Sequence, residues 1–174
     1  MNSSNKEHLS KIKSNDEISI LMDDARVQGK KLVMAHGVFD LLHMGHVRHL
    51  KSARSEGDIL VLSITADEFV NKGPGRPVFS HYMRAEMLAA LECVDFVIIN
   101  RSPSAEPMIE LVKPDVYVKG PDYENVDDDI TGKIIDEQLT VERHDGRVVY
   151  TKDLTFSSSS LINRYLDVYD APLR

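Results

Sequence analysis

Two histidines three positions apart, His43 and His46, flank Gly45 in the stretch Gly37-Val-Phe-Asp-Leu-Leu-His43-Met-Gly-His46. The run before it, Lys31 to His36, reads as a buried strand, and His46 to Glu56 reads as a helix that ends at Gly57. The motif therefore sits where a strand turns into a helix. Gly37 lets backbone pass close to a ligand at the strand end. The helix N-terminus supplies unpaired N–H groups and a partial positive charge. With two imidazoles added, this makes a preorganised site for a phosphate whose negative charge grows in a transition state.

Three further stretches can serve the same chemistry, each with a plainer reading beside it. Lys72 lies in the Gly/Pro-rich loop Asn71–Pro77, where a lysine reaches either a phosphate or only water. Lys119, Gly120 and Asp122 follow the strand Asp115–Lys119, at the strand ends where a parallel sheet keeps its ligands. They read as base or ribose contacts, or as a simple turn around Gly120-Pro121. Ser157, Ser158 and Ser159 open an apolar helical pattern, which suits phosphate capping better than a linker. Asp127–Asp129 reads as a solvated loop and helix start rather than a metal cage. His8, His36, His49, His81 and His144 stand outside the motif and read as structural, and Cys93 reads as a buried thiol without chemistry.

The elements that must position these groups alternate strand and helix. Apolar residues at helical spacing cover Asp16 to Gln28, with Gly29 as the stop. Asp58–Thr65 is the next strand, Ser80 caps a helix running to about Glu92, and Asp95–Ile99 is a third strand. A short helix, Ser104–Val112, is broken by Pro114. A helix up to about Arg143, the strand Arg147–Thr151 and a last helix reaching Val168 follow. Such alternation implies right-handed βαβ units. The expected fold is therefore α/β and Rossmann-like, an about five-stranded parallel sheet with helices on both faces and a ligand crevice at the strands' C-terminal ends. Residues 1–14 read as a flexible tail, 15–170 as one domain and 171–174 as a C-terminal tail.

Composition excludes several classes. The chain has 174 residues with 42% hydrophobic and 28% charged, too apolar for disorder and ordinary for one globular domain. The net charge of −7 argues against a nucleic-acid surface. No run approaches the roughly 18 apolar residues of a membrane span. Met1 to Lys13 carry no apolar signal-peptide region, so the expected location is the cytoplasm. The single cysteine makes neither an internal disulfide nor a structural zinc site.

The block Gly37–His49 resembles the GxFDxxHxGH motif of the nucleotidyltransferase superfamily that includes the cytidylyltransferases. The likeness extends through Gly57-Asp-Ile-Leu-Val, Arg76-Pro77 with Arg84, Leu91-Glu-Cys-Val-Asp95 and Lys113 to Tyr123, and it is nearest to the adenylyltransferase domain of ADP-heptose synthase. The resemblance implies direct attack of a sugar phosphate on the α-phosphorus of a nucleoside triphosphate, with pyrophosphate leaving. It implies that His43 and His46 stabilise the pentacoordinate phosphate and that Gly37, Val38, Phe39 and Gly45 line the nucleotide. Lys72 and Arg84 would sit close to the phosphates, and Ser157 to Ser159 would hold the β- and γ-phosphates. Asp40 is expected to fix the turn or a histidine. Mg²⁺ is expected on the triphosphate itself, since no carboxylate cage is visible. A homodimer, and a sugar kinase acting upstream or fused in relatives, are also implied.

ATP with a heptose 1-phosphate is the favoured pair. CTP with a polyol, sugar or other small phosphate is the alternative, and a non-catalytic nucleotide-binding regulatory domain is the rival from a different class. Lys152 to Ser159 lack the arginine and glycine that glycerol-phosphate and phosphocholine cytidylyltransferases place there, and Glu92 stands where those tend to have arginine. Both differences lean toward the heptose type.

Overall fold

A computed structural model describes residues 3–73, 75–120 and 134–152. Six strands form one parallel sheet: β1 (Ile12–Lys13), β2 (Leu32–Gly37), β3 (Ile59–Thr65), β4 (Phe96–Asn100), β5 (Val116–Lys119) and β6 (Arg147–Tyr150), in the order β1-β4-β3-β2-β5-β6. Among the described residues, five α-helices connect them: α1 (Asn15–Val27), α2 (Met44–Arg54), α3 (His81–Ala89), α4 (Glu106–Val112) and α5 (Ile134–Glu142). The Rossmann-like α/β fold is the one expected from the alternation.

Alternate strand residues feed two separate cores. Val33 and Ala35 of β2 join Leu60, Leu62 and Ile64 of β3 against Leu50 and Ala53 of α2 and Ala85 and Leu88 of α3. Leu32 and Met34 point the other way, into a cluster with Ile18 and Met22 of α1, Ile109 of α4 and Val141 of α5. This period of two, with both sets apolar, is why β2 reads as a continuous hydrophobic run in sequence. Helix starts follow local capping chemistry. The Ser14 hydroxyl accepts from Glu17 N–H at 3.3 Å while the Glu17 carboxylate accepts from Ser14 N–H at 2.9 Å, a reciprocal box that opens α1.

The sheet has six strands rather than five, and the difference lies in the segment read as a tail. Ser3–Lys11 form 3-10 turns, and Ile12 and Lys13 pair parallel with Val97 and Ile98 at the sheet edge. The Lys11 ammonium donates to the carbonyls of Leu91 (3.1 Å) and Val94 (2.8 Å), just past α3. These polar residues gain order from an edge strand that would otherwise offer unpaired backbone, a partner that local sequence does not reveal.

The strand order sets the place of the crevice. From β2 the chain steps outward to β3 and β4, then returns to lay β5 on the other side of β2, with Val33, Met34 and Ala35 opposite Val116, Tyr117 and Val118. The direction of winding thus reverses between β2 and β5, and the C-terminal ends of these two strands flank the switch point where such sheets take ligands. The histidine turn leaves β2 there, and Lys119-Gly120 ends β5 there.

Candidate active site

The turn after β2 is built on two left-handed residues, Phe39 at φ 50° and Leu41 at φ 47°. Side-chain residues hold this conformation at a cost that the surroundings must offset. The Phe39 ring does so by entering the core with 6% exposure. It also explains Gly37, because a Cβ there would lie 3.2 Å from the Phe39 ring. Between the two strained residues, the buried Asp40 carboxylate accepts from Arg76 Nε (3.0 Å), Val78 N–H (2.9 Å) and Phe79 N–H (3.2 Å). Asp40 therefore ties the histidine turn to the segment that follows the Gly/Pro loop. It ties the turn to a loop more than thirty positions away.

His43 is the N-cap of α2, and the two histidines cap each other. His43 Nδ1 accepts from Gly45 N–H at 3.1 Å and, at 3.4 Å, from His46 N–H, while His46 Nδ1 accepts from His43 N–H at 3.4 Å. Their rings stack at 3.8 Å between centroids and 21° between planes, and the Phe39 ring meets His46 edge-on at 5.4 Å. Because both Nδ1 atoms accept, a neutral ring in each case carries its proton on Nε2. Burial lowers the pKa of His43. Burial, with the positive charges of His43, His49 and Lys72 added, lowers that of His46 to about 4. At neutral pH the pair is thus uncharged, two fixed N–H donors at the positive end of a helix.

Lys72 is placed close enough for its charge to act on His46. Its side chain keeps access to solvent, yet surrounding protein pulls its pKa below the ordinary lysine value, Arg76 pulls it further and Asp40 opposes. The structure thus brings together His43, His46, Gly45, Gly37, Phe39 and Lys72.

Two other cations are committed elsewhere. Arg84 is fully buried on α3, and its guanidinium donates to the carbonyls of Phe79, Val38 and Thr65 and to Asp67 at 2.6 Å. It braces the backbone at the ends of β2 and β3, in the region where the resemblance places it close to the phosphates. Lys119 is also turned inward. Its ammonium lies 2.7 Å from the Glu137 carboxylate of α5, which also accepts from the Tyr117 hydroxyl at 3.1 Å. With 8% and 5% of their side chains exposed, this pair locks α5 to β5. Gly120 stays at the crevice, where a Cβ would meet nothing within 4 Å. Asp122, Ser157, Ser158 and Ser159 lie outside the described residues.

Sequence reading missed two contributors. His49 Nδ1 meets Thr151 Oγ1 at 2.9 Å, and its charge is among those that lower His46; one helical turn from His46 was the available signal. Arg76 stands four positions after Lys72 in the Gly/Pro loop and is gripped by Asp40; its place beside the loop lysine could have marked it. His36 meets Ser63 at 2.9 Å across β2 and β3, as a structural histidine does. Cys93 is half-buried, and burial pushes its thiol pKa up. Among the described residues, no cluster of three or more His, Cys, Asp or Glu side chains is placed to hold a metal, and no helix is long and apolar enough to cross a membrane.

Known proteins resemble this chain over most of its length. The profile of the cytidylyltransferase-like family matches residues 34–164. The bifunctional protein HldE of Syntrophotalea carbinolica is 38% identical over 168 residues, 94% of this chain and 33% of that protein. Its counterpart in Alcanivorax borkumensis is 46% identical over 114 residues, 64% of this chain and 24% of that protein. The chain therefore spans a third or less of these relatives. A crystal structure of the lipopolysaccharide core biosynthesis protein from Thermoplasma volcanium superposes with a TM-score of 0.58 at 26% identity, covering 72% of this chain and 99% of that one. Pantoate-beta-alanine ligase from Francisella tularensis, at 14% identity and a TM-score of 0.57, shares the fold.

Proposed function

Since the chain belongs to the cytidylyltransferase-like family, we propose that it is a nucleotidyltransferase that joins a nucleoside monophosphate to a sugar phosphate. ATP and a heptose 1-phosphate are the favoured substrates, by likeness to the HldE proteins. The observation that carries the reading is the reciprocally capped, uncharged His43–His46 pair at the start of α2, with Lys72 beside it.

In this reading an acceptor phosphate oxygen attacks the α-phosphorus as the bond to the β-phosphate bridging oxygen breaks, and pyrophosphate leaves with that oxygen. The pair's N–H donors hold the equatorial oxygens as their charge grows, with little reorganisation, because each ring is locked through its Nδ1. Lys72 contributes charge from a loop that Asp40 anchors at its far end. Mg²⁺ would arrive on the triphosphate and neutralise its charge; the donor set here is imidazole and ammonium, which suits phosphate oxygens rather than a hard divalent cation. The name bifunctional and the length of the relatives leave room for a second activity outside this chain, which we expect to be a kinase supplying the phosphorylated acceptor.

The test is pyrophosphate release with Mg²⁺, crossing four nucleoside triphosphates against sugar and polyol phosphates. Release with ATP and heptose 1-phosphate is the expected outcome. Release only with CTP keeps the mechanism and replaces the base. Stabilisation by a triphosphate without any release would favour a regulatory nucleotide-binding domain.

A further inference from the structure

We propose that Arg76 is a phosphate-binding residue of this site: held in aim by Asp40, its guanidinium presents Nη2 to an oxygen of the triphosphate or of the acceptor phosphate. The inference rests on the nucleotidyltransferase reading and adds to it a residue that the motif does not contain.

Its basis is a difference in how two arginines are satisfied. Arg84 has an acceptor on Nε, on Nη1 and, twice over, on Nη2. Arg76 has 7% of its side chain exposed, and its Nε donates to Asp40 at 3.0 Å, but its Nη2 is buried with no hydrogen-bond partner among the described residues. A buried cationic N–H without an acceptor costs about as much as the lost hydrogen bond, so it marks a place where an acceptor binds. Asp40 does not meet the need, because only Nε of Arg76 hydrogen-bonds to it.

The surroundings specify an anion. Lys72 lies in the same loop, and the Arg76 charge lowers its pKa while Asp40 raises it. Two cations thus act with one carboxylate in this loop, and one of them, Lys72, is also close enough to act on His46. A guanidinium with one edge already fixed is suited to a phosphate oxygen, because the planar fork loses little further freedom on binding.

The test needs no turnover. Wild-type protein and the Arg76→Lys and Arg76→Gln variants are titrated calorimetrically with sodium tripolyphosphate and with inorganic phosphate at fixed ionic strength, with thermal midpoints measured alongside. Arg76→Gln is expected to weaken tripolyphosphate by about ten- to a hundredfold, the scale of a charge-assisted hydrogen bond. Arg76→Lys keeps a charge opposite Asp40 and so should keep the thermal midpoint, yet one ammonium cannot copy the fork, and binding should still fall about tenfold. If the Gln variant does not fold, the Lys variant carries the test. Anion binding within twofold of wild type in the folded variants overturns the proposal, as does a wild-type protein that binds neither anion. In turnover, a raised KM for the nucleotide assigns the contact to the triphosphate, and a raised KM for the acceptor assigns it to the acceptor phosphate. A wild-type protein that binds tripolyphosphate through Arg76 but never releases pyrophosphate would refute the nucleotidyltransferase reading and leave the contact standing.

Discussion

The ends of β2 and β5 lie side by side at the switch point of the sheet, and both carry residues of the type that binds phosphates. They have opposite fates. Beyond β2, the backbone is bent through two left-handed residues, and Nδ1 of each histidine is consumed in capping, so that a neutral ring carries its proton on Nε2. At β5, Lys119 is drawn into a buried pair with Glu137 that also takes the Tyr117 hydroxyl. A cation near a ligand crevice is thus no measure of function. What decides is whether its hydrogen-bonding capacity is already spent on the protein.

The largest expected effect tests the β5 side. Lys119→Met leaves the Glu137 carboxylate buried without its counter-charge and should cost about 3–5 kcal/mol of stability. Pairing it with Glu137→Gln should restore more than half, since the amide oxygen still accepts from Tyr117. Denaturant unfolding of the single and double variants measures both, and a single variant within 1 kcal/mol of wild type, as an order of magnitude, would mean that the pair does not lock α5.

On the β2 side, His46→Ala should lower turnover by about 10²–10³-fold, the scale for one preorganised donor to a transition state. Pyrophosphate release within a few-fold of wild type would remove His46 from the chemistry and erase the contrast between the two strand ends. A smaller loss, about ten- to a hundredfold in turnover, is expected of Lys72→Ala, with the thermal midpoint unchanged because a loop lysine with solvent access adds little stability. A midpoint that collapses would make Lys72 structural, like Lys119.

The smallest effect is one of pH. Burial first, then the charges of His43, His49 and Lys72, hold His46 at about 4 in the folded chain against 6.5 for the free side chain. Between those values the unfolded state binds more protons, so this histidine's contribution is complete above about 6.5 and is lost as pH falls toward 4. NMR titration of the ring protons should show no His46 transition near 6.5, and Lys72→Ala should move its transition upward by removing one of the charges. A transition at the free value in wild type would mean that the ring is solvated and the capping absent.

Much of this was legible in the sequence because it is local. The glycine and histidine spacing of the β2–α2 turn, the apolar strand runs and the Ser14 cap each act within a few residues, where period and residue type are sufficient information. The alternation of strands and helices then restricts the sheet to parallel βαβ connections. The family likeness likewise followed from contiguous blocks.

Tertiary structure alone decided what each polar group does. Lys119 finds Glu137 across 18 positions, Arg84 finds Val38 across 46, and Lys11 reaches the carbonyls past α3 across 80 and 83, which turns an apparent tail into an edge strand. None of these partners lies within the reach of a helix turn or a strand pair, so no local pattern announces them. The charge state of His46 belongs to the same class. Residue type supplies an imidazole, but only its burial and the cations brought in by other segments keep it neutral. Sequence specified which groups were available and where the chain would turn; packing determined which of them were still able to meet a ligand.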